Sequence, residues 1–241
     1  MSSITVKILH DITELGRASW NECALASDVY NPFVTYEFLH ALESSGSVSR
    51  ETGWQPFHLM VEDQGNLIGV VPMYLKSHSQ GEYVFDYSWA DAWQRAGGRY
   101  YPKLQSSIPF TPATSPRLLC KTPSPEHREL LIDACIEVAE QTKVSSLHLT
   151  FMPEDEWATA KDANLLQRMD QQFHWHNAGY HTFDDFLADL ASKKRKNLKR
   201  ERRDAVSAGI EIEWLSGEQL REEHWDAFYQ FYLDTGHRKW G

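Results

Sequence analysis

The clearest alternation of hydrophobic and polar positions lies in the stretch PFHLMVEDQGNLIGVVPMYLK. Two runs rich in apolar residues flank the turn-forming segment DQGN, and this arrangement predicts a β-hairpin. Pro72 lies in the second run. Because proline has no backbone N–H to donate, we expect that strand to be bulged or exposed there.

The remaining elements follow from the spacing of apolar residues. Helical spacing with capping residues at the ends predicts helices in residues 11–26, in the second half of 31–46, and in 124–141, 163–171 and 217–234. Short apolar or alternating runs predict strands at residues 4–9, 117–120, 145–152, 173–177 and 210–214. This order predicts a mixed α/β fold, with a sheet of mixed strand direction and helices on its faces.

The carboxyl-terminal part of the pattern lacks a closing element. The last predicted helix leads into DTGHRKWG, which contains no further strand. A single helix, strand and helix cannot bury the strand between them. We therefore expect either a fragment or a last domain that another copy completes by self-association.

Residues 81–116 are aromatic and irregular, which is more typical of a functional surface than of a connector. Asp86 and Asp91 lie in its FDYSWADA motif, where aromatic neighbours would desolvate a carboxylate and raise its pKa. Either residue is a candidate catalytic base or a binding group for an acceptor ammonium. Helix capping and turn formation are the alternative roles.

The same segment contains the candidate substrate-binding residues. Tyr100, Tyr101 and Phe110 would form an aromatic wall for a sugar or an acyl chain, and core packing is the alternative interpretation. Arg117 is a candidate anion contact, with surface ion pairing as its alternative. The candidate substrate-binding set is Trp89, Tyr101, Phe110, Thr111 and Arg117.

Positive charge is concentrated in one run. Eight of the 24 Lys and Arg residues lie between Lys193 and Arg203, with Glu201 alone against them, in a chain whose formal net charge is −10. On a helical wheel most of these cations share one face, and Leu198 and the small residues lie opposite. The run therefore predicts an amphipathic helix that ends at Gly209.

This basic face has three interpretations. It is a solvated surface helix that needs no ligand, or a phosphate-binding face in a cleft, since Arg and Lys suit diphosphates. The third interpretation is a surface for nucleic acid or for a membrane. The candidate anion-binding residues are Arg195, Lys196, Lys199, Arg200 and Arg203.

Composition restricts the class of protein. Hydrophobic residues at 41% and charged residues at 24% are typical of a soluble globular chain. No apolar run is long enough to span a bilayer, and the amino terminus lacks the features of a signal peptide. Three separated cysteines indicate a reducing, cytoplasmic setting. His174 and His176 have no Cys or acidic partner at suitable spacing, so we predict no metal site.

The basic segment and the order of elements together resemble a known group of enzymes. Residues 192–200, SKKRKNLKR, resemble the S-x-K-x-R-x-x-I-R pattern of Fem-type transferases. More closely, the chain resembles a bacterial family of predicted N-acyltransferases described as peptidoglycan biosynthesis or recognition proteins. The matching pieces cover nearly the whole length: NPFVTYEFLHALE, VPMYLKSHSQGEYVFDYSWADA, YYPKLQSSIPFTP, FHWHNAGYHTFDDFLADL and DTGHRKWG.

The resemblance implies two GNAT-like domains in tandem, the first over residues 1–180 and a second, truncated one over 181–241. It implies transfer of an acyl group from acyl-CoA, or from aminoacyl-tRNA, to an amine of a cell-wall-related or other phosphate-bearing acceptor. The Gly-rich phosphate loop of that superfamily has no counterpart in TPATSPRLLCKTPSPEH. This departure argues against coenzyme A binding by the first domain, and in tandem GNAT enzymes such a domain commonly holds the acceptor.

Two functional hypotheses follow. In the first, the chain is an N-acyltransferase in which the helix around Arg195 and Arg200 faces a diphosphate or the incoming donor, and the loop around Asp86 frames the acceptor. In the second, it is a non-catalytic GNAT-like module whose basic helix binds tRNA or another polyanion.

Overall fold

The computed structural model describes residues 3–27, 30–171 and 173–240, with the backbone alone at residue 240. The chain divides into two compact units, Met1–Asp170 and Gln171–Gly241. The sequence analysis places the corresponding boundary at residue 180. All the strands that the structure describes belong to the first unit.

The first unit is a mixed α/β structure, which confirms the predicted fold class. Its strands are β1 (Ile4–Leu9), β2 (Trp54–Pro56), β3 (His58–Asp63), β4 (Asn66–Val71), β5 (Tyr74–Lys76), β6 (Lys103–Ser106), β7 (Leu119–Cys120) and β8 (Leu147–Leu149). Its α-helices are α1 (Arg17–Ala24), α2 (Tyr36–Ser44), α3 (Tyr87–Arg95), α4 (Pro125–Thr142) and α5 (Glu154–Asp162). This order is consistent with a GNAT-like domain.

The predicted hairpin is formed by β3 and β4, which pair antiparallel. Gln64 and Gly65 make the turn in the left-handed region, with φ of 51° and 80°, as a type I′ hairpin turn requires. Pro72 is buried, not exposed. It lies at the break between β4 and β5, so its missing N–H costs no ladder hydrogen bond.

Two four-stranded sheets, in the orders β1-β3-β4-β7 and β2-β5-β6-β8, are joined by long strands. The β2–β5 and β3–β4 ladders keep the same antiparallel register. Where these ladders meet, the Phe57 N–H donates to the Met73 carbonyl at 2.9 Å. β2 and β3 are thus parts of one strand, and β4 and β5 are parts of its neighbour.

β6 pairs with β5 and β7 pairs with β4, so both lie beside the same long strand. An insertion separates β6 from β7. Gln105 of β6 faces Tyr74, whereas Leu119 of β7 faces Val70. The change of register means that residues 107–118 leave the sheet and then rejoin it. β8 pairs with the other edge of β6 in parallel, so the sheet has the mixed direction that the sequence predicts.

The sheet separates two apolar layers. Alternate strand residues point to opposite faces, so Leu59 and Val61 pack with α4, whereas Met60 and Val70 pack with α1 and α2. The start of α4 is where the sequence predicts it, because the Ser124 hydroxyl accepts the His127 N–H in the first turn of this helix. Helices thus cover both faces of β3 and β4.

The helix predicted at residues 163–171 is wrong in position. The helix that forms is α5, which ends before this range. Its first turn carries Glu154, Asp155 and Glu156, whose negative charge suits the positive end of the helix dipole. Asn164 has a φ of 63°, and a left-handed residue at this place ends a helix.

The second unit contains α6 (Phe183–Asp189), α7 (Ser192–Val206) and α8 (Glu222–Trp240). α7 is the predicted basic helix, and α8 is the main part of the helix predicted from residue 217. The strands predicted at residues 173–177 and 210–214 are wrong, since neither range is paired in the described residues of this unit. An alternating run forms a stable strand only with neighbours to pair with.

Candidate functional site

One face of β5 and β6 carries buried polar side chains. Lys76 faces Lys103 across the two strands, and Tyr74 faces Gln105. All four residues are 0% exposed. The alternate residues of both strands pack into the apolar layer with α4. Because like charges directly opposite each other repel, two buried lysines need anions close by.

Two carboxylates from the segment between β5 and α3 supply that charge. Lys103 Nζ donates to Glu82 Oε2 at 2.8 Å and to Asp86 Oδ2 at 2.6 Å. It also donates to Ser79 Oγ at 3.0 Å, so all three ammonium protons are used. The Tyr100 hydroxyl donates to the same Asp86 oxygen at 2.8 Å. We call Lys76, Glu82, Asp86 and Lys103 the buried charge cluster.

Lys76 has weaker contacts than Lys103. Its Nζ lies 3.4 Å from the centre of the Trp54 ring, 3.2 Å from the Gln80 carbonyl oxygen and 3.9 Å from Glu82 Oε1. The ring quadrupole attracts the ammonium. Among the described residues, Glu82 Oε1 and Asp86 Oδ1 have no hydrogen-bond partner. The cluster therefore retains acceptor capacity.

Burial and charge shift the protonation of these groups in different directions. Burial lowers the pKa of Lys76 to about 7, although the Glu82 carboxylate opposes this shift. Burial raises the pKa of Glu82, against the charge of Lys103. Burial also acts to raise the pKa of Asp86, but hydrogen bonds from Lys103 and Tyr100 outweigh it and the pKa is lowered. Lys76 thus has a pKa close to neutral pH, whereas Asp86 is held in its charged form.

The two predicted catalytic aspartates have different surroundings. Asp86 lies just before α3 and is 1% exposed within the buried charge cluster. Asp91 lies on the exposed side of α3, so the fold does not bring the two carboxylates together. The expected increase in the pKa of Asp86 is wrong in sign, because the aromatic neighbours on which it was based do not reveal the hydrogen bond that Lys103 donates to Asp86.

α3 also presents aromatic side chains to solvent. Phe85, Trp89 and Trp93 follow at four-residue intervals and are 68%, 61% and 55% exposed. Phe85 precedes α3, and the four-residue spacing aligns Trp89 and Trp93 on one side of the helix, whereas Ala90 of the same helix is buried. The Arg168 guanidinium lies 5.8 Å from the centre of the Trp89 ring. Trp89, a predicted substrate-binding residue, is therefore accessible.

Tyr101 and Phe110 lie near the buried charge cluster without forming one wall. Tyr101 is half-buried, and its hydroxyl shares a hydrogen bond of 2.8 Å with Ser79. The Phe110 ring lies 5.4 Å from the ring of Trp54, which in turn contacts the ammonium of the strand lysine. Thr111 is half-buried. Tyr101 and Phe110 thus reach the cluster from different positions.

Arg117 anchors the insertion of residues 107–118. Its guanidinium donates at 2.8–3.3 Å to the backbone carbonyls of Thr150, Ser115, Pro116 and Ala113. Its own N–H donates to Glu156 at 2.8 Å, and burial raises the pKa of that carboxyl to about 7. Arg117 is 1% exposed, so its geometry supports a structural role and gives no support to the predicted anion contact.

In the second unit, α7 presents the predicted anion-binding residues. No residue of this helix is buried. Arg195 is half-buried, and the other four candidates are exposed. Lys199 Nζ pairs with Asp184 at 3.1 Å, between side chains that are 57% and 80% exposed. Exposed pairs of this kind are weak, so the basic face of α7 is solvated and open to an anionic ligand.

The sequence interpretation missed Lys76, Lys103 and Glu82. A signal was present, because each lysine interrupts a run, VPMYLK or YYPKLQSS, that otherwise indicates a strand. Charged side chains in buried strands are nearly always paired. The requirement for two carboxylates directs attention to the acidic residues that follow β5.

Two further findings concern metals and membranes. In the described residues, no group of three or more His, Cys, Asp or Glu side chains is arranged to hold a metal ion. The rings of His174 and His176 stack with centres 6.3 Å apart. None of the helices in this part of the chain combines the length and the hydropathy needed to cross a bilayer.

The sheet of mixed direction, covered by helices on both faces, defines a mixed α/β protein consistent with the GNAT-like type. The family profile described as FemAB-like, peptidoglycan biosynthesis/recognition, matches residues 11–241. The chain therefore belongs to the FemAB-like family, which confirms the resemblance seen in its motifs. Neither a curated protein nor a solved structure matches the chain.

Proposed function

We propose that this protein is an N-acyltransferase of peptidoglycan biosynthesis, which transfers an acyl group from acyl-CoA or aminoacyl-tRNA to an amine of a cell-wall precursor or another phosphate-bearing acceptor. The observation that carries the proposal is the solvated basic face of α7 in a chain of the FemAB-like family. Both donors and the acceptor bear phosphates, which arginine and lysine side chains bind well.

In this reaction the acceptor amine attacks the carbonyl carbon of the donor thioester or ester. A C–N bond forms, the C–S or C–O bond breaks, and the amine transfers a proton to a base. Asp86 is the proposed base, with Oδ1 as the oxygen that has no partner among the described residues. Lys76, whose pKa burial lowers to about 7, is a second proton acceptor in the same cluster.

One feature of the first unit argues against phosphate recognition by the start of α4 and so favours α7. A pyrophosphate at a helix N-terminus needs free N–H groups. Ser124 Oγ already accepts the His127 N–H at 3.2 Å, and Pro125 at the first position has none.

A second candidate function is a non-catalytic module whose basic helix binds tRNA or another polyanion. The environment of Asp86 favours it. This carboxylate is 1% exposed and is held by Lys103 and Tyr100, whereas a general base must come within hydrogen-bond reach of the acceptor amine.

A thermal-shift titration with acetyl-CoA, longer acyl-CoAs, free CoA and bulk tRNA separates the two candidates. For the acyltransferase we expect a saturable increase in Tm with a donor, which scales with ligand concentration as linkage requires. We also expect acyl transfer to an amine acceptor. A response to tRNA alone that disappears at high salt, without any transfer, would support the binding module.

Variants of α7 and of Asp86 make the test specific. Arg195→Ala and Arg200→Ala should each weaken binding of a polyanion and reduce the slope of log affinity against log salt by about one. Arg238→Ala on α8, whose side chain is 72% exposed, is the matched control. In the enzyme, Asp86→Asn should abolish turnover while the donor still binds. Unchanged turnover in this variant would remove Asp86 from the mechanism.

A further inference from the structure

The second unit contains an open pocket of about 510 Å³ with mostly aromatic walls. Its volume lies in the range of small-molecule sites. Phe186 is at its centre, with ring centroids 6.2 Å from Trp175, 5.7 Å from Tyr180 and 5.7 Å from Phe183. Neighbouring aromatic rings at these distances offer several faces and edges for a flat ligand to stack against.

Local hydrogen bonds hold these rings in place. The Asn177 side-chain oxygen accepts the Tyr180 N–H at 2.8 Å, and the Tyr180 hydroxyl donates to Asp189 at 2.5 Å. Thr182 and Asp185 form a capping box at the start of α6, which fixes the direction in which the helix leaves the loop. The pocket is therefore built by α6 together with the loop that precedes it, residues 175–182.

Positive charge from α7 borders this pocket. The Arg202 guanidinium lies 4.2 Å from the centre of the Phe183 ring. Lys199 contacts Asp184, the residue after Phe183, at 3.1 Å. Both cations belong to the basic run of α7. Aromatic walls with cations at the rim complement a ligand that has both a flat ring and a phosphate.

We infer that this pocket binds a nucleoside phosphate, with the base stacked against Trp175 and Phe183 and the phosphates held by Arg202 and Lys199. Every base has a π-face, so stacking on aromatic side chains tolerates different bases. Arginine binds phosphate in bidentate geometry. The inference rests on the proposed role of α7 in phosphate recognition and adds a site for the base.

Calorimetric titration of the full chain with ADP, UDP, adenosine and inorganic pyrophosphate tests both parts separately. We expect ADP and UDP to bind at least about fivefold more tightly than pyrophosphate, because the base adds stacking. Adenosine should bind more weakly than ADP, because it lacks the charge that α7 complements. ADP that binds no better than pyrophosphate would overturn the inference.

Variants of the pocket provide the matched comparison. Trp175→Ala and Phe183→Ala should weaken ADP binding about tenfold and leave pyrophosphate binding within about twofold, whereas Trp175→Phe should restore most of the affinity. Arg202→Ala should weaken both ligands. Trp214→Ala, at a side chain that is 93% exposed, and Arg238→Ala should change neither. Circular dichroism checks that each variant is folded.

The outcomes separate this inference from the proposed function. If Arg195→Ala and Arg202→Ala weaken pyrophosphate binding while the aromatic variants have no effect on ADP, the base pocket is refuted and phosphate recognition by α7 stands. If no phosphate compound binds, both are refuted. Where ADP binds as expected, competition by coenzyme A and by tRNA distinguishes a soluble nucleotide from the end of a nucleic acid as the source of the ligand.

Discussion

The basic side chains of this protein occur in two opposite environments. Lys76 and Lys103 are 0% exposed and lie beside Glu82 and Asp86, so their charges balance within the first unit. The run on α7 carries a net +7 between residues 193 and 203, from eight cations and one glutamate, and none of its residues is buried. A buried charge must be compensated where it lies, whereas a solvated one is free to meet a partner.

This contrast separates structural charge from charge that is available for binding. Removal of one partner from a buried ion pair leaves an uncompensated charge and is strongly destabilising. Removal of one partner from an exposed pair has little effect on folding. Substitutions in the two regions should therefore change different quantities. Those at the buried lysines should change the free energy of unfolding, and those on α7 should change ligand affinity.

The largest effect is expected for Lys103→Met. This change leaves Glu82 and Asp86 buried without the ammonium that now lies 2.8 Å and 2.6 Å from their oxygens. We expect the free energy of unfolding to decrease by about 3–5 kcal/mol, as measured by urea denaturation of the full chain. Adding Asp86→Asn should recover part of the loss, because one uncompensated charge is then removed.

Lys199→Met on α7 is the control for this experiment, and its effect should stay within about 0.5 kcal/mol. Equal losses in the two variants would contradict the distinction between the regions. So would a Lys103→Met protein as stable as the original, since it would mean that the cluster is not desolvated.

The first unit shows which features sequence patterns predict well. The hairpin, β1, α2 and the Ser124 cap of α4 each depend on residues close together in the chain, and each was predicted near its observed place. The buried charge cluster depends on the pairing of β5 with β6, which brings Lys76 opposite Lys103. No local pattern encodes that contact, so Asp86 was recognised while its partners were not.

In the second unit, the helical pattern predicted the structure correctly and the strand pattern did not. α7 was predicted because a helix satisfies its own backbone hydrogen bonds, and its period is visible in the charges. The alternation in residues 210–214 predicted a strand, which needs a neighbour that the sequence cannot supply by itself. The strand predicted at FHWHN, residues 173–177, gave no sign of the loop that gathers aromatic rings around Phe186 of α6.

A smaller effect is expected for the pH dependence of stability. The pKa of Lys76 is about 7 in the folded protein against a usual value of 10.5. Between these values the unfolded chain binds more protons than the folded one, so stability rises with pH through this window and is flat below it. We expect a gain of about 1–2 kcal/mol from pH 7 to pH 9 that is absent in Lys76→Met.

Urea denaturation of the two proteins at each pH measures this difference. Groups outside the buried charge cluster titrate alike in both proteins, so the difference between the curves reports Lys76 together with the carboxylates coupled to it. Parallel curves would contradict the lowered pKa. A difference that grows below pH 7 instead of above it would place the proton exchange on another member of the cluster.

The smallest effect is expected for Asp184→Asn at the rim of the aromatic pocket. Its carboxylate pairs with Lys199 between exposed side chains, so stability should change by no more than about 0.5 kcal/mol. The change also removes a negative charge beside the proposed phosphate position. ADP affinity should therefore increase about twofold at low salt, and the gain should disappear as salt screens the site. Asp226→Asn, an exposed change on α8, controls for net charge. A loss of more than about 1 kcal/mol in Asp184→Asn would mean that Lys199 contributes to stability, as the buried lysines of the first unit do. The charges of α7 could then not all be treated as available for binding.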